Sequence, residues 1–160
     1  MMIMNKNFSP EALQHLIGYT FKNPENLKDA LTRGAYLNEH PSKKEKLMDP
    51  LATVGDAILD AVVVCKLYEE GNRKKGTLTI EKSKKVKRER TRDIAERHQL
   101  QEYILWGEGE KKNKVWKAGN KVLDTVFEAL VGAVFLDAQE NRKNGIKSVR
   151  KILDKLIYFD

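Results

Sequence analysis

Leu51-Ala-Thr-Val-Gly-Asp-Ala-Ile-Leu-Asp-Ala-Val-Val-Val-Cys65 and Val122-Leu-Asp-Thr-Val-Phe-Glu-Ala-Leu-Val-Gly-Ala-Val-Phe-Leu136 are the two stretches on which the fold turns. Both are nearly all apolar, yet each carries carboxylates four residues apart, Asp56 with Asp60 and Asp124 with Glu128. On a helix, positions i and i+4 share a face, and a helix apolar on nearly every side is buried. An ionised carboxylate in such a place is costly unless a cation, an ion pair or a hydrogen-bond network compensates it. Packing the acids of both helices around one cation satisfies them most cheaply, and all-oxygen ligation points to Mg²⁺ or Mn²⁺. Alternatively, each acid caps a helix or pairs with Lys or Arg, and composition alone leaves both readings open.

The chain has 160 residues, enough for one domain with a proper core, and 41% of them are hydrophobic. No charge-free run of about 20 apolar residues occurs and Met1 to Met4 opens no signal-peptide pattern, so the expectation is a cytoplasmic chain without a membrane span. The single cysteine, Cys65, rules out an intrachain disulfide and, inside an apolar run, reads as a packing residue. A net charge of +7 points to an anionic partner, RNA or DNA first.

Ser9-Pro10, Asn23-Pro24 and Asp49-Pro50 each read as an N-cap followed by proline at the first helical position. Apolar residues then step at helical spacing, Leu13, Leu16 and Ile17 in the first segment and Leu27, Ala30 and Leu31 in the second. Further helices are expected from Leu78 to about Arg90, from Asp93 to about Leu100, from Val122 to Leu136 and around Ile146, Val149, Ile152, Leu153 and Leu156. Gly107 and Gly109 open what reads as a Lys-rich loop to Asn120. Almost nothing alternates with a strand's period. The expectation is one all-α domain over residues 1–160, of about seven helices, with no repeat or low-complexity linker.

Between Arg73 and Arg97 there are eleven Lys or Arg against four acids. A second basic cluster, Lys111, Lys112, Lys114, Lys117 and Lys121, surrounds Trp116 and precedes the second acidic stretch. Basic segments flanking an acidic centre suit a phosphodiester substrate, whose backbone is held by cations while a metal meets one phosphate. Lys84, Lys85, Lys87, Arg88 and the Lys111, Lys112, Lys114 and Lys117 group are the candidate RNA-binding residues, a solvated helix face being the bland alternative. Trp116 reads as an anchor into the core ahead of a base-stacking residue.

Leu51-Ala-Thr-Val-Gly-Asp-Ala-Ile-Leu-Asp60 resembles the signature helix of the ribonuclease III catalytic domain, whose pattern runs Glu-x-Leu-Glu-Phe-Leu-Gly-Asp-Ala. The resemblance extends from about residue 8 to about 156. Asn23-Pro-Glu-Asn-Leu-Lys-Asp-Ala-Leu-Thr32 with Tyr36-Leu-Asn-Glu39 is similar to the family's early helix and its Thr-His-x-Ser-Tyr segment, without the His. Gly76-Thr-Leu-Thr79 resembles the Gly-x-Leu-Thr helix start, Gly107-Glu-Gly-Glu110 the Gly-x-Gly-Glu turn, and Phe127-Glu-Ala-Leu-Val-Gly-Ala-Val-Phe-Leu-Asp137 the second acidic helix. Each motif is weak, but five in the right order point strongly to that all-α fold.

The resemblance implies a metal-dependent endoribonuclease acting on double-stranded RNA, working as a homodimer. Its catalytic carboxylates fall on Asp56 and Glu128. Two further metal-ligand positions fall on Ala52 and Thr125, so the implied site is degenerate. Asp49 falls on an acid at the start of the signature helix, and Asp124 sits one residue from the vacant slot, leaving Asp56, Glu128, Asp124 and Asp49 as the implied ligands of Mg²⁺ or Mn²⁺. The family's dimer-contact Phe is Thr53 here. Catalytic members usually add a C-terminal double-stranded RNA-binding domain, and none is expected before Asp160. Two readings follow, a nuclease weakened by the missing ligands and a domain that keeps the RNA groove without the chemistry. A di-iron bundle needs Glu-x-x-His pairs, which are absent, and a Ser or Cys hydrolase has no support beyond Cys65 itself. A non-catalytic RNA-binding or scaffold protein is the serious rival.

Overall fold

A computed structural model describes residues 8–41, 46–117, 122–156 and 158–159. Lys121, one of the expected phosphate contacts, lies outside them. Nine α-helices occur among the described residues: α1 (Pro10–Ile17), α2 (Pro24–Ala30), α3 (Gly34–Glu39), α4 (Asp49–Glu69), α5 (Lys75–Lys85), α6 (Arg88–Arg97), α7 (Glu108–Asn113), α8 (Val122–Glu140) and α9 (Gly145–Lys155). A 3-10 turn spans Leu100–Tyr103. The expected all-α fold is found. Among the described residues the β-type pairing is one isolated bridge between Thr32 and Leu105.

Two expected helix starts behave as the sequence chemistry requires. Ser9 Oγ accepts from the Ala12 N–H at 3.1 Å and Asn23 Oδ1 from the Glu25 N–H at 3.1 Å, each ahead of a proline. The third does not: Met48 occupies the cap of α4, and Asp49 is already its first helical residue. Two six-residue helices, α3 and α7, lie where no periodic pattern announces them. Contacts from afar hold this pair. The Glu39 carboxylate accepts from the Glu108 N–H at 2.9 Å, and the Arg33 guanidinium grips Glu110 at 2.7 and 3.1 Å. The basic helix expected to run to Arg90 stops at Lys85, and Lys87 caps a new one.

α8 is the axis of the molecule, with α4, α6, α2 and α9 all resting on it. Leu123, Phe127, Leu130, Val131 and Val134 from α8 meet Leu59, Val62 and Val63 from α4 in the core. The two long helices are not equally buried. One face of α4 stands in solvent, carrying Thr53, Asp56, Ala57, Cys65 and Tyr68. Cys65 is therefore exposed, not a packing residue. Its apolar neighbours in sequence misled because an apolar run does not by itself say whether every side is covered.

At the far end of α8, Asp137 is fully buried and accepts four hydrogen bonds, from Tyr19 Oη at 2.7 Å and from Lys22 N, Asn23 N and Asn26 Nδ2 at 3.0 Å each. Burial would push its carboxyl up, but these donors hold it below the usual range. The loop between α1 and α2 is thereby tied to α8.

The closest approach is between α4 and α8. A Cβ at Gly55 would lie 1.7 Å from the Glu128 carbonyl oxygen, and one at Gly132 would lie 2.1 Å from the Leu51 carbonyl oxygen. Helix-interior glycine is destabilising locally by roughly 0.5–1 kcal/mol, so packing must favour it here. Gly55→Ala is expected to destabilise by about 3 kcal/mol, because backbone rather than a movable side chain blocks the methyl, lowering Tm by roughly 6–12 °C. Gly76→Ala, on α5 with open space around it, serves as the control and should melt at or slightly above the parent. An unchanged melt for Gly55→Ala would show that the crossing yields easily.

Candidate metal-dependent phosphodiester site

The glycine crossing sets where the carboxylates meet. Gly55 is pressed against the backbone of Glu128, so Asp56, next along α4, lies at the same crossing as the Glu128 side chain. Asp56 is exposed and Glu128 half-buried. Desolvation, then the charges of Asp56 and Asp124, push the Glu128 carboxyl up from 4.5 to about 7, with Asp60 adding to the rise and Arg88 opposing it. This is a small field of negative charge with too little internal compensation.

Asp124 is 4% exposed and faces α6, where Thr91, Arg92 and Arg88 lie near. Desolvation nevertheless raises its pKa. Its Oδ1 is buried with no hydrogen-bond partner, a costly state that a cation would relieve. Asp60 is otherwise engaged, accepting from Lys82 Nζ at 3.1 Å. Asp49 is exposed and seven residues before Asp56, about 10 Å along the helix axis. The expectation of buried acids on both helices thus holds for Asp124 and partly for Glu128, whereas Asp56 is exposed on the open face of α4. Ala52 is 7% exposed within the core and Thr125 is half-buried.

Among the described residues no three His, Cys, Asp or Glu side chains converge closely enough to hold an ion by themselves. Mg²⁺ does not need three. It ordinarily keeps several waters and is bound through one or two carboxylates plus substrate phosphates. Asp56 and Glu128, with the unsatisfied Asp124 oxygen behind them, fit that mode.

The basic residues form two groups. Lys84, Lys87 and Arg88 are exposed and Lys85 half-buried around the α5–α6 junction, with Lys84 paired to Glu81 at 2.9 Å. Arg88 is the one that reaches electrostatically to Asp124 and Glu128. In the second group Lys112, Lys114 and Lys117 are exposed and Lys111 is half-buried, 3.5 Å from Glu108. Trp116 packs on buried Trp106, their ring centroids 5.1 Å apart. The role of Gly55 and Gly132 went unread, although a glycine inside each otherwise apolar helical pattern was the available signal.

With this geometry in hand, comparison with known proteins identifies the class. Residues 49–139, from the start of α4 nearly to the end of α8, match the model of the Ribonuclease III domain. The chain belongs to that family. It is 33% identical over 153 residues to Ribonuclease 3 of Listeria monocytogenes, covering 92% of this chain and 62% of that one. Against Ribonuclease 3 of Lactiplantibacillus plantarum it is 31% identical over 142 residues, covering 88% and 60%. The chain thus spans about three fifths of the length of these curated relatives. A solved structure of the nuclease domain of ribonuclease III from Campylobacter jejuni, described as showing structural flexibility in a region involved in dimer formation, superposes with a TM-score of 0.75 at 27% identity, covering 91% of this chain and 93% of that one.

The strained carboxylate gives a test of the site's electrostatics. With its folded pKa raised above the unfolded value of about 4.3, Glu128 binds more protons folded than unfolded, so metal-free stability falls as pH rises from about 4 through 7. Glu128→Gln removes this slope. At pH 8 in chelator the variant should melt roughly 2–4 °C above the parent, and at pH 4 the two should coincide. Equal melts at both pH values would show that Glu128 is not repelled in the folded state.

Proposed function

We infer that the chain is an endoribonuclease acting on double-stranded RNA by metal-assisted phosphodiester hydrolysis, with Asp56 and Glu128 as its catalytic carboxylates. The observation carrying this reading is the meeting of Asp56 and Glu128 at the α4–α8 crossing, in an excess of negative charge that Arg88 only partly opposes. Mg²⁺ or Mn²⁺ bound there would stabilise charge on the phosphate oxygens and lower the pKa of a bound water. Asp56 and Glu128 would hold the ion and orient it, with Asp124 as the third oxygen donor and Asp49 reaching it only through water. Arg88, beside the acids, is placed to meet the anionic phosphate. Lys84, Lys85 and Lys87 would extend that contact along one strand, and Lys111, Lys112, Lys114 and Lys117 would add a second set. Recognition then rests on phosphates, 2′-hydroxyls and A-form shape, in keeping with a cytoplasmic RNA-processing role.

Ala52 favours a second reading, RNA binding without cleavage, because an apolar side chain buried in the core stands where the family places a ligand. A cleavage assay on long double-stranded RNA with Mg²⁺ and then Mn²⁺ separates the two. The nuclease reading expects slow cutting that Asp56→Asn abolishes. The double change Ala52→Glu with Thr125→Asp should raise it at least tenfold, equivalent to about 1.4 kcal/mol of barrier. Salt-sensitive binding with no product from parent or double variant would establish the second reading.

The homodimer is supported by the open stripe of Thr53, Ala57 and Tyr68 on α4, where Tyr68 is 52% exposed, and by the dimer-forming region of the Campylobacter relative. Light scattering at tens of micromolar should give twice the mass of the chain, and Ala57→Arg should halve it. A monomeric parent would remove the arrangement.

A further inference from the structure

Away from the acidic crossing, a cavity of about 460 Å³ opens between α3, the 3-10 turn and α7. Its size is that of an ordinary small-ligand site. Tyr36, His40, Gln101, Trp106, Lys111 and Trp116 line it.

Aromatic faces dominate the walls and are fixed by the protein itself. The Tyr36 and His40 rings are stacked, centroids 4.2 Å apart and 22° from parallel, and His40 Nδ1 lies 2.9 Å from the Tyr36 carbonyl oxygen. Trp106 donates from Nε1 to the Gln101 carbonyl at 2.8 Å and carries the Arg33 guanidinium 5.7 Å from its ring centroid, while Trp116 leans on it. The polar groups are equally specific. Gln101 Oε1 is buried with no hydrogen-bond partner, and a half-turn of that terminal amide exchanges donor and acceptor positions. Glu108 also lines the cavity, its carboxylate 3.5 Å from Lys111 Nζ. Lys112, Lys114 and Lys117 continue the positive charge from there into solvent.

A flat π-system with hydrogen-bonding edges and an attached anion satisfies all of these features together, whereas an aromatic peptide side chain lacks the anion and a lipid tail lacks the polar edge. We propose that this cavity binds the base of a single unpaired nucleotide, its exocyclic amino group toward Gln101 and Glu108 and its phosphate on Lys111 and the lysines that follow. A paired base cannot enter, because in a duplex its edges and faces are already occupied. The ligand is a free nucleotide or an unpaired residue flanking an RNA duplex, the latter resting on the RNA-processing reading above.

The test uses the whole chain in chelator, where cleavage plays no part. Tryptophan fluorescence, from the only two tryptophans, Trp106 and Trp116, is titrated with AMP, UMP and adenosine. AMP should change the emission saturably in the millimolar range and bind at least threefold tighter than UMP, which lacks the amino group. His40→Ala should weaken AMP roughly tenfold, as loss of one base-stacking partner does. Lys111→Ala should weaken AMP but leave adenosine unchanged, which a merely structural effect would not do. Circular dichroism of both variants confirms that the helices are retained. A duplex with a single-stranded adenosine overhang should bind several-fold tighter than a blunt one, a difference lost in His40→Ala. Equal binding of the two duplexes, with AMP binding intact, assigns the cavity to free nucleotide. No response to AMP, or AMP affinity unchanged in both variants, overturns the proposal even if blunt duplex is cleaved. Conversely, AMP binding by a chain that neither binds nor cuts duplex RNA would overturn the nuclease reading and leave this one standing.

Discussion

Everything in this molecule that concerns chemistry depends on how closely α4 and α8 cross. With Gly55 against the Glu128 carbonyl and Gly132 against that of Leu51, the two backbones touch where most helix pairs are held 8–10 Å apart by side chains. A larger residue at either position would separate Asp56 from Glu128 before it disturbed anything else. The site is therefore carried on the two longest and best-packed helices, which places its carboxylates with the precision of a core rather than of a loop. The glycines destabilise each helix slightly in isolation, and the packing they permit offsets that cost.

The same crossing creates an electrostatic problem that the surrounding helices only partly solve. Asp60 is neutralised by Lys82 from α5, and Asp124 is turned toward Thr91, Arg88 and Arg92 of α6. Glu128 is left facing Asp56 with most of the repulsion unrelieved. Structural ion-pair networks tend toward closure, whereas a site built to receive a cation and a phosphate retains a deficit until both arrive. The basic residues of α5 and α6 offset Asp60 and part of the charge of Asp124, and leave the repulsion between Asp56 and Glu128 in place. That arrangement is what the proposed reading requires, a surface that attracts a polyanion and still has an acidic centre.

Much of this was legible in the sequence, for identifiable reasons. The long helices are announced by apolar periodicity and the first two helix starts by cap-proline chemistry, and the order of five weak motifs carries the family. What sequence could not supply was which side of α4 is covered, since an apolar run looks the same whether a neighbour packs on it or not. Asp56 and Cys65 on the open face were misjudged for that reason. The six-residue helices α3 and α7 were invisible because Arg33, Glu39 and Glu110, distant in the chain, stabilise them. The buried Asp137 looked like one more acid in a motif, although it is the acceptor that ties α1 and α2 to the central helix.

Ala52 and Thr125 bear on how far the proposed site and its scaffold make different demands on the same positions. Ala52 is part of the core, 7% exposed beside the glycine crossing, and an apolar residue there adds no charge to the cluster around Glu128. Asp124, one position before Thr125 and one turn before Glu128, lies between the crossing and the arginines of α6, and its charge still adds to the rise at Glu128. On the nuclease reading, an uncharged side chain at each of the two positions spares the metal-free fold the repulsion that four carboxylates would impose. It also lessens the number of oxygens available to a metal. On that reading, stability of the metal-free protein and tightness of metal binding are opposed at these two positions. The pair that the crossing positions, Asp56 and Glu128, carries the proposed site, and the contacts that fix it are those of Gly55 with Glu128 and of Gly132 with Leu51.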